Sequence, residues 1–300
     1  PEATKCYQYF INQGFKDHRV FANYGAILQD LGKLKDAELY LRKSIELKPD
    51  LAESHYNLGI ILKDLGKSKD AAIYLRKAID LNPEFELAHL TLGNISRDLG
   101  KSKDAESSYR KAIELKPNFA DAHYNLGIIL RNLGKSKDAE LSYRKAIELK
   151  PDFAKAYYNL GNTLQDLNNL KDAEYSYRKA IQLNPNLAEP YSNLGNILKD
   201  LNNFKEAEYS YRKAIQLNPN HAEAHSNLGA ILLELGKLQD AEISLLKAIE
   251  LKPDYAEAYL NLGTISLNLG KLQDAELSTR KAIELNPDFA KAHSNLGEVY

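Results

Sequence analysis

The sequence predicts an all-α solenoid made of stacked helix-turn-helix units, and three observations support this prediction. The tripeptide Asn-Leu-Gly, or a close variant, returns every 34 residues from Gly25 to Gly297 without insertion or deletion. A proline recurs with the same period, from Pro49 to Pro287. Each period also contains two stretches with the apolar spacing of amphipathic helices, and none with the alternation of a strand. A fixed period of this length indicates stacked supersecondary units.

The first half of each unit is predicted to be a helix that ends at glycine or asparagine. In the unit 52–85, apolar or half-apolar residues recur at steps of three and four, and Gly66 follows the last of them. The equivalent position holds Asn168 and Asn202 in two other units. Because Gly and Asn tolerate the left-handed conformation that terminates helices, this exchange supports the predicted turn.

The second half of each unit is predicted to be another amphipathic helix. In the unit 52–85, Asp70 lies in its first turn, where a negative charge suits the helix dipole. Ala71, Leu75 and Ala78 form its buried stripe. Pro83 cannot continue the helix and separates one unit from the next.

Composition restricts the classes of partner and location. The 40 basic and 41 acidic residues nearly cancel, so nucleic acid and anionic membranes are not favoured as partners. The single cysteine, Cys6, allows no intrachain disulfide, which suits a reducing compartment, and we expect a cytoplasmic protein. No apolar run approaches the roughly 18 residues of a membrane span. The chain begins at Pro1 and contains no methionine, so we expect a piece of a longer protein.

At this point the units resemble a known repeat. Leu58, Gly59, Ala71, Ala78 and Pro83 fall at the spacings of the tetratricopeptide repeat, and the resemblance extends over all 300 residues. The chain is similar to near-consensus bacterial arrays and to the superhelix of O-linked N-acetylglucosamine transferases. The resemblance implies a right-handed superhelix whose first helices line a concave groove. It also implies a non-catalytic scaffold for protein–protein interaction.

We expect residues 1–300 to form one solenoid with incomplete ends. Residues 1–17 are interpreted as a half repeat, with Pro1–Phe15 as a lone second helix. Eight full repeats follow at about 18–289, and 290–300 begins a further first helix. The incomplete ends have two interpretations: the chain is a fragment, or half repeats of neighbouring molecules complete each other. The second interpretation predicts head-to-tail filaments.

An asparagine stands two residues before almost every repeated glycine. A helix interior does not favour asparagine, so its recurrence needs a cause. One interpretation is a hydrogen bond between neighbouring units that fixes their stacking. The other is a ladder of amides that binds a peptide backbone, similar to the asparagine ladder of the transferases, and the two roles are compatible. Thr91 replaces the asparagine in one unit. The ladder residues are Asn23, Asn57, Asn125, Asn159, Asn193, Asn227, Asn261 and Asn295.

Repeat spacing favours the ladder interpretation. Packed helices lie about 8–10 Å apart, and an extended peptide rises about 3.3 Å per residue. One asparagine would therefore meet about every third residue of a peptide that runs along the groove.

Specificity would then come from residues beside the ladder, and we predict the main peptide site at Tyr56–Asn196. Later units carry smaller or more apolar residues at the corresponding positions, including Leu233 and Leu267. The alternative is ordinary variation on an exposed face. The candidate specificity residues are Tyr56, Tyr124, Tyr158, Asn94, Asn162, Asn196, Lys63, Arg97 and Arg131. Chaperone-binding members of the family that this chain resembles hold a peptide C-terminus with two lysines, and such a clamp would need lysine just before the ladder position. This chain has no lysine there, so recognition of a free peptide C-terminus is not supported.

No residue pattern indicates catalysis, a cofactor or a metal. His55, His89, His123, His225 and His293 share one repeat position with Tyr157, Tyr191 and Tyr259, so we interpret it as a packing position. No phosphate loop, dinucleotide fingerprint or nucleophile elbow occurs. We therefore predict a non-catalytic scaffold that binds an extended peptide. The alternatives are the substrate-recruiting arm of a larger transferase and a structural protein that assembles through its ends.

Overall fold

The computed structural model describes residues 2–14 and 16–299, and within these ranges it contains eighteen α-helices and no β-strand. The predicted all-α solenoid is confirmed. Pro1 and Phe15, which bound the predicted lone second helix, and Tyr300, which ends the predicted last first helix, lie outside the described residues. Contacts divide the chain into two compact halves, which we call unit 1 (Pro1–Pro151) and unit 2 (Asp152–Tyr300). The 34-residue units of the sequence are called repeats from here on.

Unit 1 contains α1 to α9, and unit 2 contains α10 to α18. The helices of unit 1 are α1 (Glu2–Asn12), α2 (His18–Asp30), α3 (Leu34–Leu47), α4 (Ala52–Asp64), α5 (Ser68–Leu81), α6 (Glu86–Asp98), α7 (Ser102–Leu115), α8 (Ala120–Asn132) and α9 (Ser136–Leu149). Those of unit 2 are α10 (Ala154–Asp166), α11 (Leu170–Leu183), α12 (Ala188–Asp200), α13 (Phe204–Leu217), α14 (Ala222–Glu234), α15 (Leu238–Leu251), α16 (Ala256–Asn268), α17 (Leu272–Leu285) and α18 (Ala290–Val299). Even-numbered helices are first helices of a repeat, and odd-numbered helices are second helices.

The turn inside each hairpin has the geometry that the Gly/Asn exchange predicts. Gly66 has φ +75°, and Asn168 and Asn202 have φ +58° and +57°. The amide of Asn168 donates to the Gln165 carbonyl, and the next amide donates to the Leu164 carbonyl at 2.8 Å. These two bonds satisfy carbonyls that the end of the helix leaves open.

The two helices of a hairpin cross closely at the repeated glycine. A Cβ atom added at Gly127 would lie 2.7 Å from Cε1 of Tyr143, and one added at Gly59 would lie 2.8 Å from Cγ of Leu75. Tyr143 and Leu75 are fully buried. The glycine is therefore required because the partner side chain fills the space that a Cβ would occupy.

Successive first helices approach one another more closely than successive second helices do. In unit 1 the series α2, α4, α6 and α8 is in contact, and in unit 2 the series α12, α14, α16 and α18 is in contact. No pair of successive second helices approaches as closely within the described ranges. The surface formed by the converging first helices of each unit is called the inner face below.

Ion pairs join neighbouring repeats through the second helices. Lys67 contacts Glu38 at 2.8 Å, and Lys237 contacts Glu208 at 2.7 Å, each pair linking a turn to the second helix of the preceding repeat. Their lysines are about half exposed, so each pair contributes at most about 1 kcal/mol. They support the stacking but do not determine it.

In residues 2–14 and 16–299, no helix combines the length and the apolar character needed to cross a membrane.

We expect Gly127→Val to lower the free energy of unfolding by about 1–3 kcal/mol, because the new side chain overlaps the Tyr143 ring. Urea denaturation followed by circular dichroism measures this change. Gly297→Val is the matched control, since a Cβ at Gly297 has no atom within 4 Å. Equal stability of the two variants would contradict the close-crossing explanation.

Candidate functional site

The ladder asparagines lie on the inner face. Six of them are half-buried, namely Asn57, Asn125, Asn159, Asn193, Asn227 and Asn261. The side chains of Asn193 and Asn227 bond to residues of the preceding first helix, which places them on the side where the first helices converge.

In unit 2, a tyrosine and two asparagines form a hydrogen-bonded group that occurs twice. The Tyr177 hydroxyl donates to Asn162 Oδ1 at 2.8 Å, and Asn193 Nδ2 donates to the same oxygen at 2.8 Å. One repeat later, Tyr211 donates to Asn196 Oδ1 at 2.7 Å and Asn227 Nδ2 donates to it at 3.1 Å. We call each group a Tyr-Asn-Asn relay. The stacking interpretation of the ladder therefore applies to Asn193 and Asn227.

Unit 1 uses a different arrangement. Tyr109 donates to Asn94 Oδ1 at 2.9 Å, as in the relays. The next ladder residue, Asn125, instead accepts from Nη1 of Arg97 at 3.0 Å. Arg97 also pairs with Asp98 at 3.1 Å, so this cation is already engaged on the inner face.

Two ladder residues, Asn57 and Asn261, have no side-chain partner in the described structure. The relay acceptor lies 31 residues before the ladder asparagine. At that distance from Asn57 and Asn261 stand Ala26 and Ala230. The side-chain amides of Asn57 and Asn261 therefore have unused hydrogen-bond donors and acceptors.

The tyrosines beside the ladder are half-buried packing residues. Tyr56 contacts Phe85 at 4.7 Å between ring centroids, and Tyr158 lies 6.1 Å from Tyr177. Tyr124 lies 6.0 Å from Tyr143. Each ring is therefore partly covered by a neighbouring aromatic ring.

The basic residues of the inner face differ in how far they are engaged. Lys63 and Lys199 are half-buried and form no ion pair with any described residue. Arg131 is also half-buried on the first helix α8. Lys63 thus offers an unpaired positive charge in unit 1, whereas the charge of Arg97 is shared with Asp98.

The recurring histidines join each first helix to the preceding loop. Nε2 of His55 lies 2.8 Å from the Pro49 carbonyl, and Nε2 of His225 lies 3.0 Å from the Pro219 carbonyl. The predicted packing role is confirmed for His55, which is buried, and the bond to proline is an addition that the sequence did not indicate. In the described ranges no group of three His, Cys, Asp or Glu side chains is arranged to hold a metal.

The buried tyrosines on the second helices have a role that was not predicted from the sequence. They are fully buried, and Tyr109, Tyr177 and Tyr211 also hold an amide. A sequence signal was present, because an asparagine stands 15 residues before each of these three tyrosines. Where leucine replaces the tyrosine, at Leu75 and Leu245, that position holds isoleucine or alanine.

The fold and the repeated inner-face residues define a helical-repeat solenoid, and family models specify which one. Models of the tetratricopeptide repeat match residues 18–51 and 52–85. The model of the cilia and flagella-associated protein 70 C-terminal domain, itself a tetratricopeptide-repeat domain, matches residues 85–298. The chain belongs to the tetratricopeptide repeat family. No curated protein matches the sequence significantly.

Solved structures share this fold. YrrB, described as a TPR protein with an unusual peptide-binding site, has 28% identity and a TM-score of 0.58, and the match covers 63% of this chain and 98% of that one. Pseudomonas aeruginosa pilF has 21% identity and a TM-score of 0.63, with 71% and 97% covered. MamA has 26% identity and a TM-score of 0.51, with 55% and 97% covered. The repeat family and the likeness to YrrB support a protein-interaction scaffold, whereas the likeness to pilF shows the fold alone.

We expect Asn193→Ala to reduce the free energy of unfolding by about 0.5–1.5 kcal/mol more than Asn57→Ala does. Only Asn193 bonds to the preceding repeat, and both changes gain the same helix propensity. Urea denaturation of the two variants in parallel measures the difference. If both variants had the same stability, the relay would have no role in stacking.

We expect stability to fall as the pH decreases below about 6.5, in part through His225. Burial lowers the pKa of His225 and outweighs the hydrogen bond to the Pro219 carbonyl, which raises it. The folded state therefore favours the neutral ring, and the unfolded chain binds more protons. Because the ring is partly exposed, we expect a contribution below about 1 kcal/mol. Thermal melts of the wild type and His225→Tyr between pH 5 and 8 test this, since tyrosine occupies the same position in three repeats. Identical pH profiles would refute the assignment.

Proposed function

We propose that this chain is a non-catalytic scaffold that binds an extended segment of another protein along the inner face of its units. The observation that carries this proposal is the recurrence of half-buried carboxamides on the face where the first helices converge. Carboxamides both donate and accept hydrogen bonds, so they match the alternating N–H and C=O groups of a peptide backbone. We propose no catalytic step, cofactor or metal for this chain.

Unused amide groups support the proposal. Asn57 in unit 1 and Asn261 in unit 2 have no side-chain partner among the described residues, although each stands in a helix interior that disfavours asparagine. A stacking role does not account for these two positions. Binding of a peptide group would account for both.

Unit 1 adds charge to the amides. Lys63 is unpaired, and Arg97 and Arg131 occupy the equivalent position in the next two repeats. We therefore propose that the segment bound by unit 1 carries acidic side chains near the amide contacts. The lysine ammonium and the arginine guanidinium can both bind carboxylates in this way.

A structural neighbour provides a precedent. YrrB is described as a TPR protein with an unusual peptide-binding site, and it shares 28% identity with this chain. Peptide binding is thus within the range of this fold, and we propose it for this chain as well.

The test uses an array of twelve-residue peptides that are acetylated and amidated at their ends. The best-bound peptide is then synthesised again with a fluorescent label. We expect Asn57→Ala combined with Asn261→Ala to weaken its binding by about 2- to 10-fold, from one lost hydrogen bond, because a peptide that binds one unit contacts only one of these asparagines. The melting temperature should not fall, because neither amide bonds to a side chain of the described protein. Fluorescence anisotropy measures the affinity.

The matched control is Gln239→Ala, which changes an exposed amide on the second helix α15. If both variants bind like the wild type, the amides of the inner face do not bind the peptide. If no peptide on the array binds, the proposed function is wrong.

A further inference from the structure

We propose that Tyr177 and Tyr211 are positioning residues that fix the amides of two peptide subsites in unit 2. Each Tyr-Asn-Asn relay would offer one free N–H donor group and one free C=O acceptor to the same uncharged, extended stretch of backbone. This inference rests on the proposed function and specifies the chemistry of the partner at this site.

Both lone pairs of the central asparagine oxygen are occupied in each relay. Asn162 Oδ1 accepts from the Tyr177 hydroxyl and from Asn193 Nδ2, each at 2.8 Å. A carboxamide oxygen has two lone pairs, so it has no further acceptor capacity. The groups left for a ligand are the Asn162 Nδ2 donors and the Asn193 Oδ1 acceptor. The second relay leaves Asn196 Nδ2 and Asn227 Oδ1 in the same way.

The tyrosine hydroxyl can donate to the central oxygen because it keeps its proton at neutral pH. Burial raises the pKa of Tyr211, so its hydroxyl keeps its proton. The Tyr177 ring is fully buried, and its hydroxyl also lies 3.0 Å from Gln165 Oε1, a second acceptor. Rotating the Asn162 amide by half a turn would bring its Nδ2 against Nδ2 of Asn193, which are two donor groups, and would break that bond.

The rings themselves cannot move, because they fill the space left by a repeated glycine. A Cβ at Gly161 would lie 2.6 Å from Cε1 of Tyr177, and a Cβ at Gly195 would lie 2.7 Å from Cε1 of Tyr211. The hydroxyl is therefore held at one place on the inner face. An amide held in this way loses less conformational freedom on binding than a free one such as Asn261.

A peptide group matches the unused pair, since its C=O accepts from Nδ2 and its N–H donates to Oδ1. Neighbouring relays lie one repeat apart, about 8–10 Å, which equals about three residues of an extended chain. Asn125 in unit 1 differs, because Arg97 donates to its Oδ1 and places a positive charge beside the amide. The two relays are thus suited to the neutral peptide backbone, and the Asn125 position is suited to an acidic group.

The test measures peptide binding by Tyr177→Phe, by Tyr211→Phe and by the double variant. The ligands are the best-bound capped peptide from the array and its derivative with methylated backbone nitrogens. Tyr143→Phe is the matched control. Tyr143 is buried against Gly127 in the same way, but Ile128 stands at the acceptor position, so its hydroxyl holds no amide.

We expect each relay variant to weaken binding of the unmethylated peptide by about 2- to 10-fold, and the control to leave it unchanged. Methylated nitrogens should weaken binding to the wild type and have less effect on the double variant. Without any peptide, the side-chain amide resonances of Asn162 and Asn196 should shift in the relay variants and remain in place in Tyr143→Phe.

Three results would overturn the inference. The relay variants could bind like Tyr143→Phe while Asn57→Ala with Asn261→Ala still weakens binding, which would leave the proposed function intact. The relay variants and Tyr143→Phe could all have lower melting temperatures and bind correspondingly less peptide, which would show that the tyrosines have a packing role alone. The amide resonances of Asn162 and Asn196 could remain unchanged, which would show that no relay forms. If no array peptide binds the wild type, the proposed function itself fails.

Discussion

The structure depends on the close crossing of the two helices in every repeat. At that crossing the first helix carries glycine, and the second helix places a buried leucine, threonine or tyrosine in the vacated space. Interiors pack densely, so adding even one carbon to the glycine forces the partner to move. The crossing fixes the hairpin, and the hairpin fixes the direction of the first helix. Every residue of the inner face therefore depends on this contact.

The crossing also connects the core with the candidate site. In three repeats the side chain in the glycine space is a tyrosine whose hydroxyl reaches an asparagine on the first helix. A packing residue thus orients an amide at the surface. In two of these repeats the same amide oxygen also bonds the next repeat, so stacking and amide orientation share one acceptor. The ladder is in this respect structural at Asn193 and Asn227, and we propose that its remaining amide groups bind a peptide.

Much of the fold could be predicted from sequence because its signals are local. The left-handed turn at Asn168, where φ is +58°, follows from the preference of Gly and Asn for that conformation. The helices follow from apolar residues at steps of three and four. The histidine position was predictable as packing because tyrosine replaces histidine there. Its bond to the preceding proline carbonyl was not predictable, since it depends on the path of the loop.

The sequence by itself determined the repeat, its helices, its turns and the row of asparagines, because each depends on residues close together in the chain. The tertiary structure alone decided which of those asparagines are occupied. Asn193 and Asn57 have the same local sequence pattern, yet one bonds Asn162 and the other faces Ala26. That outcome depends on a residue 31 positions earlier and on a hydroxyl from a third helix. A hydrogen bond requires these groups within about 3 Å, which only helix packing can set.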